Sequence, residues 1–158
     1  MAIKVGKPAP VFALKGSDGG EHSLSDYAGK TVVLYFYPKD DTPGCTKEAC
    51  GFRDLRSKFK KLNAVVLGIS KDSVSSHSDF IKKFKLPFVL LSNPDAGVLK
   101  AYGAFGEKTQ YGKTFMGTIR STVIIGPDGT VLKHWKKVKK AEEHPAEVLE
   151  FLEAQKNG

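Results

Sequence analysis

A single α/β domain, built on a mixed sheet with helices packed against it, is what the sequence predicts, and three observations lead there. Short apolar runs rich in β-branched and aromatic residues alternate with stretches of helical period. Near the carboxyl end that alternation gives way to two strand-like runs joined by a tight-turn sequence. The chain of 158 residues, 41% hydrophobic, suits one sizeable core.

Taken in order, Ser17-Asp18-Gly19-Gly20 marks the turn of a hairpin ahead of the main sheet. Thr31 to Tyr37 reads as a buried strand between Gly29-Lys30 and Pro38, and Ala64 to Ser70 and Phe88 to Leu91 read likewise. Ala49, Phe52, Leu55, Phe59 and Leu62 recur at helical spacing in the first gap, as do Phe80, Ile81 and Phe84 in the second. Such βαβ units imply parallel strands covered by helices. A third helical stretch runs from about Ala96 to Tyr102. Ser121 to Ile125 and Thr130 to Val138 then form an antiparallel hairpin across Gly126-Pro127-Asp128-Gly129. His144-Pro145 opens a last helix whose apolar face is Val148, Leu149 and Leu152. The order βαβ, α, ββα is that of a thioredoxin-like sheet with an amino-terminal β-hairpin addition. Without repeat, low-complexity tract or linker, residues 1–158 read as one domain.

With 25 Lys+Arg against 17 Asp+Glu the formal charge is +8, so nucleic-acid binding has to be weighed. The densest run, Lys133 to Lys140, reads as a strand with a solvated face followed by a turn, and no nucleic-acid motif accompanies it. No stretch of eighteen apolar residues and no signal-peptide pattern occurs, so a soluble, cytoplasmic protein is expected, with no membrane partner. His22, His77, His134 and His144 show no metal-ligand spacing with either cysteine, and isolated histidines are usually surface residues. No glycine motif implies a bound nucleotide. Neither metal nor cofactor is expected.

Two cysteines are too few for a secreted disulfide scaffold, leaving inert thiols or redox chemistry. The Cys-x-x-Cys of a dithiol oxidoreductase is absent; the loop instead reads from Pro38 through Cys45 to Cys50. Thr42 is a good N-cap and Pro43 a preferred first helical residue, so Cys45 falls in a first turn, where the macrodipole and free N–H groups favour a thiolate. Steps of about 100° per residue put Cys45 and Glu48 beside the stripe of Ala49 and Phe52. A carboxylate directed inward calls for a charged partner near Cys45. Cys50 lands on nearly the opposite side from Leu55 and Phe59, an odd place for an inert buried thiol unless another element covers it.

Pro38, Thr42 and Cys45 match a Pro-x-x-x-Thr-x-x-Cys string, and the chain resembles the peroxiredoxins that carry it. Cys50, five residues on, is similar to the resolving cysteine of their Q-type branch, also called bacterioferritin comigratory protein. The likeness extends over Tyr35-Phe36-Tyr37-Pro38, Gly68-Ile69-Ser70, Leu86-Pro87-Phe88 and Arg120 to Ile125. It implies that Cys45 is the peroxidatic nucleophile for a hydroperoxide and Cys50 its disulfide partner. It further implies that Thr42 hydrogen-bonds thiolate and peroxide, Pro38 shields the pocket, Arg120 stabilises charge and Glu48 orients that arginine. Thioredoxin, or glutaredoxin, is the implied reductant, and a monomer the implied state. The rival readings, a dithiol oxidoreductase and a basic nucleic-acid-binding module, have no feature to match this loop.

Helix geometry adds one expectation. Residues five apart on one α-helix are separated by about 7.5 Å of rise and about 140° of rotation, hence by about 8.7 Å between Cα atoms, against the roughly 6.8 Å a disulfide tolerates. If Cys45 and Cys50 share an unbroken helix when reduced, the first turns must unwind before they bond.

Overall fold

Each apolar run of the sequence becomes a strand of one sheet. The computed structural model describes residues 3–157. Its strands are β1 (Ala13–Gly16), β2 (Glu21–Ser23), β3 (Thr31–Phe36), β4 (Ala64–Ser70), β5 (Val89–Ser92), β6 (Phe105–Gln110), β7 (Lys113–Thr118), β8 (Ser121–Ile125) and β9 (Val131–Trp135). The helices are α1 (Pro43–Asp54), α2 (Arg56–Lys61), α3 (Val74–Phe84), α4 (Gly97–Ala101) and α5 (His144–Asn157). Seven strands form the main sheet in the order β2-β1-β5-β4-β3-β8-β9. β3, β4 and β5 are parallel, and β1, β8 and β9 join antiparallel. This is the expected mixed sheet, with the amino-terminal hairpin added at one edge.

The pleat divides the core in two. Val33, Tyr35 and Tyr37 face one side with Phe52 of α1, Phe59 of α2, Phe80 of α3 and Val148 of α5. Val32, Leu34 and Phe36 face the other with Phe12 and Leu99 of α4. Strands buried on both faces read as continuous apolar runs, as β3 does.

Some features differ from expectation. The helical stretch after β3 breaks at Leu55 (φ −99°, ψ 7°), and the rings of Phe52 and Phe59 meet 5.8 Å apart across the break. A second hairpin, β6 with β7, stands apart from the main sheet. It turns at Tyr111 and Gly112, both left-handed (φ 53° and 75°), as a two-residue hairpin turn requires. Asn-Gly or Asp-Gly is the usual signal for that turn, and a tyrosine in first place conceals it. Finally, His77 and His144 are fully buried rather than superficial. Each belongs to its helix's apolar stripe: His77 with Phe80, Ile81 and Phe84, and His144 with Val148 and Leu152. Of the basic run only Lys133 to Trp135 lie in β9, which stops there and not at the expected Val138, and residues 136–140 follow without regular structure. No helix is long and apolar enough to cross a membrane among the described residues.

Candidate active site

The register of the central strands brings distant residues to one place. Pairing of Phe36 with Ser121 sets Arg120 level with the end of β3, where the chain turns through Pro38–Thr42 into α1. The backbone there is held by the Val138 N–H, which donates to the Arg120 carbonyl at 2.7 Å. Arg120 thus faces the first turn of α1, and Gly44 leaves it room. A Cβ on Gly44 would sit 3.2 Å from Arg120 Nη2.

Cys45, 1% exposed, lies in that first turn. Arg120 Nη2 donates to Cys45 Sγ at 3.2 Å, and Nη1 donates to Glu48 Oε1 at 2.7 Å. Glu48 is fully buried, as its place on the stripe requires, and Arg120 is the cation it called for. Only one carboxylate oxygen is served, since Oε2 has no partner among the described residues. Burial pushes the Glu48 carboxyl up to about 7 against the pull of Arg120. Burial draws Arg120 down, but Glu48 and Cys45 outweigh it and hold the guanidinium above its ordinary value. A fixed cation at 3.2 Å from the sulfur, at the start of a helix, is placed to meet negative charge that develops there in a reaction.

The other expected residues sit close by. Thr42 occupies the N-cap position, but its hydroxyl donates to the Lys39 carbonyl at 2.9 Å and makes no cap bond. Pro38 is half-buried between β3 and this loop. Cys50 is also half-buried, on the same unbroken helix as Cys45, with both thiols free. α5 is the element beside it: a Cβ on Gly51 would meet Pro145 Cγ at 2.7 Å, so the helices touch closely there. A cleft of about 650 Å³ bordered by Gly44, Lys47, Arg120 and Lys140 opens beside the site.

The loop is also tied on its other flank, by residues that sequence reasoning missed. Asp40 Oδ1 accepts from the Tyr37 hydroxyl at 2.6 Å, and Oδ2 accepts from Ser76 Oγ at 2.8 Å and lies 2.7 Å from His77 Nδ1. His77 Nε2 lies 3.0 Å from the Leu91 carbonyl oxygen. Both ring nitrogens thus have an oxygen partner, which fixes the orientation of the ring. The Asp40 N–H donates to Asp72, which also accepts from Ser70. Asp40, Asp72 and His77 offer ligand atoms within 4.8 Å of one another, but those atoms are bonded into this network. The available signal was His77 itself, a polar residue on an apolar stripe.

Residues 5–134 match the AhpC/TSA family. A putative peroxiredoxin bcp of Coxiella burnetii is 52% identical, over 94% of this chain and 98% of that protein. Peroxiredoxin Bcp of Bacillus subtilis is 47% identical over 96% of each. Among solved structures, a cysteine-to-serine mutant of PrxQ from Xylella fastidiosa superposes with a TM-score of 0.91 at 39% identity, covering 97% of each chain. The bacterioferritin comigratory protein of Xanthomonas campestris, studied for alkyl peroxide reduction, gives 0.86 at 42% identity over 91% of each.

Proposed function

This chain belongs to the AhpC/TSA family and is a peroxiredoxin, a thiol peroxidase, and from that premise we propose that Cys45 is its peroxidatic nucleophile and Cys50 its resolving thiol. The Cys45 thiolate attacks the terminal oxygen of a hydroperoxide, the O–O bond breaks, and the departing oxygen takes a proton to leave as water or an alcohol. Sulfur becomes a sulfenic acid. The Cys50 thiol then displaces its hydroxyl as water, leaving a Cys45–Cys50 disulfide that an external dithiol reduces. Thioredoxin is that reductant in our reading, with glutaredoxin the alternative, and the enzyme acts as a single-domain monomer in the cytoplasm. Alkyl hydroperoxides are included, by analogy with the Xanthomonas protein.

One observation carries this reading: Arg120, anchored by buried Glu48, donates to the sulfur of a cysteine in the first turn of a helix. Arg120 supplies charge to thiolate and leaving oxygen, Glu48 aims it, and Pro38 shields the sulfur. Thr42 contributes its hydroxyl to the peroxide after giving up the Lys39 carbonyl. Because α1 spans both cysteines unbroken, its first turns unwind before the disulfide closes.

The test is peroxide consumption coupled to thioredoxin, thioredoxin reductase and NADPH. Wild type turns over, Cys45→Ser is inactive, and Cys50→Ser consumes about one equivalent because its sulfenic acid is never resolved. Turnover by Cys45→Ser, or a burst in it and none in Cys50→Ser, overturns the assignment.

A further inference from the structure

A hollow opens where the cysteine helix α1 gives way to α2. β4 begins at Ala64, but β5 pairs with it only from Leu67. The shortfall leaves this hollow of about 320 Å³ at the start of the β4–β5 pair, the lower end of the range for ligand pockets. Its floor is apolar, made of Phe52, Phe59, Val66 and Phe88. Lys30, Arg56 and Lys60 line it too, and no acidic residue does. None of these three cations joins an ion pair among the described residues.

An apolar floor with unneutralised cations selects a molecule with an apolar body and one negative head. It does not suit a phosphate, which wants converging hydrogen-bond donors, and it is too small to seat a protein face, which needs about 800 Å² on each side. We propose that this hollow binds an apolar monocarboxylate of the fatty-acid kind, and that its occupancy restrains the unwinding of α1. The second half rests on the disulfide reading above. Phe52 is a shared wall: it belongs to α1, two residues past Cys50, and it floors the hollow. Unwinding through Phe52 dismantles the site. A ligand held only by the folded helix favours that helix and slows disulfide closure, and closure must weaken the ligand in equal measure.

Octanoate is a suitable probe, with octanol as its uncharged control, followed by amide chemical shifts in reduced protein. Octanoate should perturb residues around Phe59, Val66 and Phe88 and bind at least fivefold more tightly than octanol. Arg56→Glu with Lys60→Glu should erase that preference; Arg56 opens α2, where a glutamate is compatible with the helix. Equal binding of the two probes, or an unchanged preference in the variant, overturns the site. The disulfide form, its Cys45–Cys50 bond confirmed by mass spectrometry, should bind octanoate several-fold more weakly, and saturating octanoate should slow the closure reported by the single tryptophan, Trp135. Equal affinity in both redox forms overturns the coupling while leaving the site. If no such disulfide forms, the disulfide reading and the coupling fail together, and the octanoate–octanol comparison still decides the site.

Discussion

Two buried carboxylates flank the loop that leads into α1, and the protein treats them differently. Asp40 has both oxygens bonded, to Tyr37, Ser76 and His77. Glu48, at least as deeply buried, has one oxygen on Arg120 and the other unserved. A fully satisfied network fixes its members, whereas a partly satisfied one is costly to keep buried. The Asp40 side ties the loop to α3 and the strand ends and holds still. The Glu48 side sits in the helix that unwinds in the proposed cycle, and a single ion pair retains it.

The comparison breaks first if Asp40 is dispensable. Asp40→Ala removes the carboxylate that Tyr37, Ser76 and His77 bond to, and a buried polar group left without its partner costs roughly 1–3 kcal/mol. Urea unfolding should register that loss, and a change below about 1 kcal/mol would mean the network is ornamental.

Arg120→Ala should act on rate instead. Removing one positioned donor from developing charge costs about 3 kcal/mol in the transition state, so the second-order rate with peroxide, read by stopped flow, should fall about a hundredfold. A preserved rate removes Arg120 from the chemistry.

Glu48 offers a sharper test through pH. Its carboxyl stands at about 7 against an ordinary 4.5, so the folded protein holds a proton that the unfolded chain has released between those values. Stability from this group is complete below about pH 4.5 and is lost as pH rises through about 7, by about 3 kcal/mol in all at 1.36 kcal/mol per unit. Glu48→Gln has no such slope, so its stability relative to wild type should improve between pH 5 and pH 8. Parallel denaturation curves at the two pH values would count against a strained Glu48.

The smallest effect is local. On oxidation, amide protection should fall across residues 44–52 and stay nearly constant in β3 and α3. Unchanged protection in α1, with the disulfide verified, would mean that the bond closes without unwinding.

Much of this was legible in advance because it depends on local rules. Pro43 after Thr42 marks the helix start, and the wheel sends Glu48 inward and demands its cation. The strand runs lie within a residue of where their patterns put them, except that β9 ends at Trp135 and not at Val138, and the Gly126–Gly129 turn joins β8 to β9 as expected. What escaped depends on distance or on an uncommon residue. Asp40 meets His77 from 37 residues away, a pairing that no spacing rule encodes. The β6–β7 hairpin was missed because Tyr111 occupies a left-handed position usually given to Asn or Asp. The hydroxyl of Thr42 turned to Lys39 because capping is one of several bonds such a side chain can make.

Gly51 has a further consequence. It lets α1 settle against Pro145 at a distance that no side chain permits, yet a glycine inside a helix costs about 0.5–1 kcal/mol relative to alanine. Tight docking and weak intrinsic helicity therefore meet one residue beyond Cys50. In the proposed cycle they would set how long an oxidised Cys45 waits for Cys50, a wait in which a second peroxide would carry the sulfur to the sulfinic state, which a dithiol does not reverse. On that reading the oxidant dose at which the enzyme would disable itself depends partly on the missing methyl group of one glycine.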